Sequence, residues 1–307
     1  MNITIRVPAT SANLGPGFDS LGLALDLWNE TIITLAIEYT VQINGEGTER
    51  LSPGENNMII QSARVLAEHA GKPLPPFHVD CINRIPLSSG LGSSAAAKLT
   101  GMLGANTLLG QPFSREEILN LATELEGHAD NAAPALFGGL VISTVENGKV
   151  FAHKINVETH HSSLGQFESP FYITVVLPEF HISTQQARNV LPEFIPLKDA
   201  ALNISHAMLV TEAFRSGDLD LLSKAMTDTL HQPYRLSLIP GARAALEAAK
   251  RAGAAAALSG AGPSVIAFSS KRDSDVGEVM QQAFAEAGLQ ARIFPLKMSN
   301  YGAEVHI

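Results

Sequence analysis

Cysteine is nearly missing from this chain. Cys81 is the one cysteine among 307 residues, so no intrachain disulfide can form, which suits a reducing compartment. It falls in the strand-like stretch Phe77 to Ile85, where a core thiol is expected rather than a nucleophile. Long apolar runs are absent as well. Nowhere do about 18 apolar residues follow one another, so no membrane-spanning helix is expected. Met1 to Val7 lacks the apolar centre of a secretory leader. Positive charge is in deficit. A formal net charge of -9 makes nucleic acid and anionic membrane poor general partners, although a local pocket can still be positive. A cytoplasmic protein with neither partner is the expectation. Charged residues make up 17% and hydrophobic ones 45%, enough for a large core and too apolar for disorder. The length suits two domains of roughly 150 residues each.

The pattern that is present reads as α+β. Ile3, Ile5 and Val7 alternate with polar residues, as in a strand. Ile33, Leu35, Ile37, Tyr39, Val41 and Ile43 share one face of what reads as a single long, half-solvated strand. Helices are expected from Asn57 to Ala70, from the loop after Pro86 to about Leu109, and from Ser114 to Glu126, where Ser114 and Glu117 form a capping box. Gly138 to Thr144 returns as a strand. Residues 152–170, with His160, His161, Gly165 and Pro170, carry little regular pattern, so a boundary is set there: domains 1–160 and 161–307. The second half reads as strand Tyr172 to Leu177, helices Ile204 to Ser216, Leu219 to His231 and Ala242 to Ala252, and strands Ala255 to Ser259 and Val265 to Phe268. Helix Asp275 to Ala287 and strand Ala291 to Pro295 complete it. The elements interleave without the even period of a barrel.

Between a strand and a small-residue helix lies Pro86-Leu87-Ser88-Ser89-Gly90-Leu91-Gly92-Ser93-Ser94-Ala95-Ala96-Ala97. Glycines let backbone approach an anion, and a helix start offers free N–H groups and partial positive charge. The serines add hydroxyls able to donate to phosphate or ligate a hard cation. A tight turn with an ordinary serine cap is the plainer alternative. The loop has no lysine, so it is not a Walker loop, and Ala95 stands where a dinucleotide fingerprint would have its third glycine.

Pro86-x-x-x-Gly-Leu-Gly-Ser-Ser-Ala-Ala closely resembles the central ATP motif of the GHMP kinases, a family acting on galactose, homoserine, mevalonate and phosphomevalonate. Two further stretches resemble the family's motifs in the same order. They are Pro8-Ala9-Thr10-Ser11-Ala12-Asn13-Leu14-Gly15-Pro16-Gly17-Phe18-Asp19 and Leu258-Ser259-Gly260-Ala261-Gly262-Pro263-Ser264, so the resemblance spans nearly the whole chain. The first is of the form found in the homoserine-phosphorylating branch. The resemblance implies a two-domain GHMP kinase fold: an amino-terminal domain like domain 2 of ribosomal protein S5, a ferredoxin-like carboxy-terminal domain, and ATP in the cleft between them. It implies ATP and Mg²⁺ as cofactors, L-homoserine as the small-molecule substrate, and threonine biosynthesis as the setting. The family's frequent homodimers extend to this chain by analogy only.

Site residues follow from the same resemblance. ATP would meet Pro86, Ser88, Ser89, Gly90, Leu91, Gly92, Ser93, Ser94, Ala95 and Ala96, with Gly260 and Gly262 folding over the phosphates. Asn56 and Asn57 are either at the nucleoside edge or helix caps. Ser94 and Glu126 would hold Mg²⁺; Glu126, alone, would read as a solvated helix end, and Glu124 fits the family's Glu-Gly less well. Many relatives place a general-base aspartate at a fixed distance before a Gly-Gly pair. Counting back from Gly138-Gly139 puts Asn131 there and Asp130 one earlier, so transfer without a strong protein base is expected, with Ser94, Glu126 and Asn131 as the catalytic set. Asp130 is otherwise a structural or capping group. A homoserine zwitterion needs a carboxylate or carbonyl for its ammonium and a guanidinium for its carboxylate. Asn13 and Asp19 answer the first need and Arg188 and Arg235 the second, with His128, Asn131 and Thr184 completing the pocket. His128 lacks companions for a zinc site. The alternatives are another GHMP kinase substrate, such as a mevalonate or sugar, and a non-catalytic ATP-binding regulator.

Overall fold

A computed structural model of the chain describes residues 2–157, 160–161, 167–271 and 274–307. Gly165 of the expected boundary lies outside them. The first half builds one sheet. β1 (Asn2–Ala12) and β2 (Leu21–Leu35) form a long antiparallel hairpin whose register shifts between Pro8 and Ala9, a bulge that bends the pair. The bend lets β2 serve two partners. Its Leu21–Leu23 segment pairs with β5 (Leu140–Glu146), and its Glu30–Leu35 segment pairs with β4 (Phe77–Asn83). β3 (Thr40–Gly45) lies parallel to β4 at the sheet's edge, and β6 (Lys149–Ile155) pairs with β5.

The single long strand expected over Ile33 to Ile43 is therefore two strands running in opposite directions, with β4 inserted between them. The chain reverses at 36–39, where Ile37 is 97% exposed. The period-2 pattern persists on both sides of the reversal, and so concealed it. One face of this sheet packs under α1 (Met58–His69), α2 (Ser93–Leu108), α3 (Arg115–Glu126) and α4 (Ala132–Phe137). Ser114 caps α3 through the anticipated box: its hydroxyl accepts from Glu117 N, and the Glu117 carboxylate accepts from Ser114 N.

β7 (His160–His161) and β8 (Phe167–Glu168) form a two-strand ribbon. Beyond it come β9 (Tyr172–Pro178), α5 (Thr184–Asn189), α6 (Leu197–Ser216), α7 (Leu219–Ala225), α8 (Gln232–Arg235), α9 (Ala242–Arg251), β10 (Ala255–Leu258), β11 (Val265–Ser269), α10 (Ser274–Glu286), β12 (Ala291–Leu296) and β13 (Glu304–His306). The second sheet has the order β10-β11-β9-β12, every pair antiparallel, which is the ferredoxin-like arrangement. Both of its faces are covered. Ile173, Val175, Ile266 and Phe268 join the first core, where Phe268 meets Phe171 and Phe214 edge to face, while Val176, Val265 and Ala267 face the core under α9 and α10. Burial on two faces explains why β9 reads as a continuous apolar run.

Several elements depart from expectation, α4, β6 and α5 being unexpected helices and a strand, and three departures have a visible cause. α6 starts seven residues before Ile204, because Leu197 (86% exposed) and its neighbours turn apolar side chains to solvent and so blur the amphipathic signal. The helix expected over Leu219 to His231 stops at Ala225. Asp228 ends it, since its carboxylate accepts the N–H groups of Leu230, His231 and Gln232 and starts α8 instead. β13 carries no signal of its own and pairs with β1, so the chain's last strand finishes the first sheet.

Candidate active site

The phosphate loop follows β4 and enters α2. Gly92 is the residue at the helix start, with φ 71°, and no side chain caps the helix there. The serine-cap alternative is therefore set aside, and the first N–H groups of α2 face a cavity of about 260 Å³. A Cβ on Gly92 would strike the Thr10 hydroxyl, and one on Gly90 (φ 78°) would strike the carbonyl of Ser259. The three glycine-bearing motifs are thus folded against one another. Thr10 N donates to Leu91 O, Ser259 Oγ donates to Gly90 O (2.8 Å), and Ser264 Oγ donates to Ser89 O (2.6 Å). Asn13 Nδ2 donates to Gly260 O (3.0 Å), while Asn13 Oδ1 accepts from Asp19 N.

Ser88, Ser89, Gly90, Gly92, Ser93, Ser94 and Ala95 line the cavity, with Gly260 and Gly262 across from them. Pro86, Leu91 and Ala96 do not. Leu91 and Ala96 are fully buried, and Pro86 O receives the Ser89 hydroxyl, so these three shape the loop from behind. Asn57 caps α1 by accepting from Ile59 N. It also lines a second cavity of about 460 Å³ with Asn56, and that cavity shares Ser88, Ser93 and Ser94 with the first.

Three charged clusters and one buried arginine meet in the first cavity. Ser94 Oγ donates to Glu126 Oε1 (2.7 Å), and Lys98 Nζ lies 2.9 Å from the same oxygen. His128 Nδ1 sits 2.5 Å from Asp130 Oδ1. Burial works against a charge on His128, yet the hydrogen bond and negative charge of Asp130 outweigh it and hold the pKa above the ordinary histidine value. Asn131 accepts from the Thr10 hydroxyl (2.9 Å) and turns its amide N–H toward Asp130. Arg188 grips Asp19 with both ends of its fork (3.0 and 2.7 Å). Burial lowers and Asp19 raises the Arg188 pKa, with a net rise. Thr184 opens α5 beside this pair.

Arg235 is different. It is 2% exposed, and its partners are neutral: Ala187 O, Gly260 O and His231 Nδ1. Burial, then the nearby Arg188, push its pKa down to about 10, so it remains charged at neutral pH. His231 donates from Nε2 to Gly15 O (2.8 Å), leaving Nδ1 to accept from Arg235. Phe18 stacks on His231 and lies under both guanidiniums, 5.1 Å from Arg235 and 5.7 Å from Arg188.

Lys98, Phe18, Asp228 and His231 were absent from the expected site. Lys98 had a readable signal, standing four residues after Ser94 and so on the same helix face. Phe18 falls within the first family motif, but its partners, like the roles of His231 and Asp228, depend on contacts across more than 200 residues or on a cap that breaks a helix. Ser94 and Glu126 offer two hard oxygens at the mouth of an uncapped helix, which fits Mg²⁺, a cation that takes one or two protein oxygens and keeps its waters.

Two family models match the chain, GHMP kinases N terminal domain over residues 57–139 and GHMP kinases C terminal over residues 210–288. A homoserine kinase of Moorella thermoacetica is 44% identical over 303 residues, covering 98% of this chain and 99% of that protein. A homoserine kinase of Carboxydothermus hydrogenoformans is 39% identical over 98% of this chain and 96% of its own. The crystal structure of a homoserine kinase from Cytophaga hutchinsonii superposes with a TM-score of 0.85 at 30% identity, covering 99% of this chain and 97% of that one. A phosphate loop on an uncapped helix, a second sheet of ferredoxin-like order and similarity along the whole length place this chain in the GHMP kinase family.

Proposed function

We propose that this chain transfers the γ-phosphate of ATP to the side-chain hydroxyl of L-homoserine, forming O-phospho-L-homoserine in threonine biosynthesis. The observation that carries the reading is a charge left over. Every carboxylate lining the cavity has a basic partner: Asp19 has Arg188, Asp130 has His128 and Glu126 has Lys98. Arg235 touches no carboxylate: Asp19, Asp130 and Asp228 act on it only through space, its hydrogen-bond partners are neutral, and a buried guanidinium held that way is costly until an anion joins it. The carboxylate of an amino acid supplies that anion. Asp19, which holds Arg188 by an exposed edge, takes the ammonium. A mevalonate or sugar offers no ammonium for Asp19, and the relatives named homoserine kinases support the same choice.

ATP then extends from the larger cavity across Ser88, Ser93 and Ser94 to the start of α2, where backbone N–H groups receive the phosphates. Ser94 and Glu126 would hold Mg²⁺, which neutralises the β and γ oxygens when bound. The substrate hydroxyl attacks the γ phosphorus, and the bond to the β-phosphate oxygen breaks to release ADP. No strong base takes the hydroxyl proton in this reading. Asn131 is an amide, and the Asp130 carboxylate is already engaged by His128 Nδ1 at 2.5 Å. The proton passes to a γ-phosphate oxygen, and positioning supplies the rate. Asp130→Asn tests this point: kcat should fall by less than about tenfold, whereas losing a true general base costs about 10²–10⁴. Loss of kcat with both substrate affinities intact would make Asp130 the base.

The experiment for the reaction is coupled ADP release with Mg·ATP against L-homoserine, L-serine, L-threonine, mevalonate and galactose. Selective turnover of L-homoserine is expected. Preference for mevalonate or galactose would remove the amino-acid pocket from the account, and ATP binding with no turnover of any alcohol would point to a regulator.

A further inference from the structure

We propose that Lys98 occupies the place of the divalent cation at Glu126, and so makes metal binding depend on the nucleotide. This rests on the reading of Ser94 and Glu126 as the metal-holding pair. Lys98 stands on α2, one turn beyond Ser94, and its ammonium lies 2.9 Å from Glu126 Oε1. That oxygen is the one that accepts the Ser94 hydroxyl at 2.7 Å. The ammonium therefore touches the oxygen a metal would need, rather than the far edge of the carboxylate. Both side chains are 14% exposed, so solvent screens the pair only in part.

A second contact gives Lys98 somewhere to go. Its Nζ also donates to Leu125 O at 3.1 Å, at the carboxy-terminal end of α3. Helix carbonyls there carry partial negative charge and hold a cation without help from Glu126. The ammonium can thus leave Oε1 and keep its second partner. A divalent ion arriving alone meets Glu126 already neutralised and a positive charge beside it. One arriving with a triphosphate brings enough negative charge to offset both cations. Metal without nucleotide is disfavoured, and metal with nucleotide is not.

The test uses Mn²⁺ as the probe, followed by electron paramagnetic resonance of the free ion, on the full chain with and without a non-hydrolysable ATP analogue. Lys98→Met and Lys98→Gln should each tighten nucleotide-free Mn²⁺ binding by about tenfold, the order expected when a partly screened like charge leaves the site. Lys98→Arg should restore weak binding. With the analogue bound, Lys98→Met should change Mn²⁺ affinity by less than about twofold, since the phosphates then supply the compensating charge. A lysine that only staples α2 to α3 would lower the thermal midpoint when replaced and leave nucleotide-free Mn²⁺ binding untouched, which would overturn the proposal. Glu126→Gln separates the two levels. If it weakens Mn²⁺ binding with the analogue while the Lys98 variants bind like wild type, the Lys98 inference alone fails. If it leaves Mn²⁺ binding unchanged, the metal assignment fails and the inference with it.

Discussion

The phosphate loop and the proposed amino-acid pocket share one cavity but are made of different material. The loop is built from backbone. Its proposed phosphate donors are the uncapped N–H groups at the start of α2, and its tolerances are set by two glycines whose missing Cβ atoms leave room for Thr10 and Ser259. The pocket is built from charge: Asp19, Arg188 and Arg235 come from distant parts of the chain and meet around Phe18. A backbone site is broken by adding an atom. A charged site is broken by removing one.

The largest effect should come from the pocket. Arg235→Leu should raise the KM for homoserine about a hundredfold, because truncating one partner of a buried charge pair costs about 2–5 kcal/mol and tenfold is about 1.4 kcal/mol. The KM for ATP should stay nearly unchanged. Stability should change little, since relief of a buried cation is offset by the loss of its donors to Ala187 O, Gly260 O and His231 Nδ1. Equal rises in both KM values, measured by steady-state kinetics, would detach Arg235 from the amino acid.

The loop should respond the opposite way. Gly92→Ala places a Cβ against the Thr10 hydroxyl in a residue with φ 71°. Backbone strain and local overpacking should together cost about 2–4 kcal/mol of stability, read as a lower urea midpoint. The KM for ATP should rise and that for homoserine should follow only weakly. A variant as stable as wild type would mean that the loop moves aside at little cost, and the contrast between the two sites would soften.

The same difference in material decides what was legible in the sequence. The loop is contiguous, so Gly90 to Ala96 could be read in one stretch, and its glycines announce a backbone requirement. The helices with sharp caps, such as α3 after Ser114, were equally plain. The pocket was legible only as separate residues whose meaning came from resemblance, because nothing local marks Arg188 and Arg235 as neighbours. The pairing of Arg188 with Asp19 and the burial of Arg235 against neutral acceptors are properties of the assembled fold. The reversal after Leu35 and the halt at Asp228 were hidden for a related reason. Apolar periodicity ran on through the first, and the second depends on one carboxylate turning back to its own backbone.

The smallest predicted effect probes the support behind the pocket. His231 is fully buried; burial, against the opposing charge of Asp228, lowers its pKa below the ordinary 6.5. Folding therefore favours the neutral ring, the form in which Nδ1 can accept from Arg235. The unfolded chain takes up a proton on this ring below about pH 6.5 and the folded chain does not, so His231 should subtract stability as pH falls below 6.5 toward its lower folded value. The slope is at most about 1.4 kcal/mol per pH unit for one proton. His231→Gln, which has no group titrating in this range, should lack that component when urea unfolding is compared at a pH above 6.5 and at one below it. Carboxylates other than Asp228, which faces the ring, contribute to both proteins alike, so the difference between the two slopes reports the ring together with its Asp228 partner. Matching slopes would mean that His231 is charged in the folded state. Its Nδ1 would then be a donor, Arg235 would lose a partner, and the pocket would be held by the stacking of Phe18 rather than by a neutral histidine.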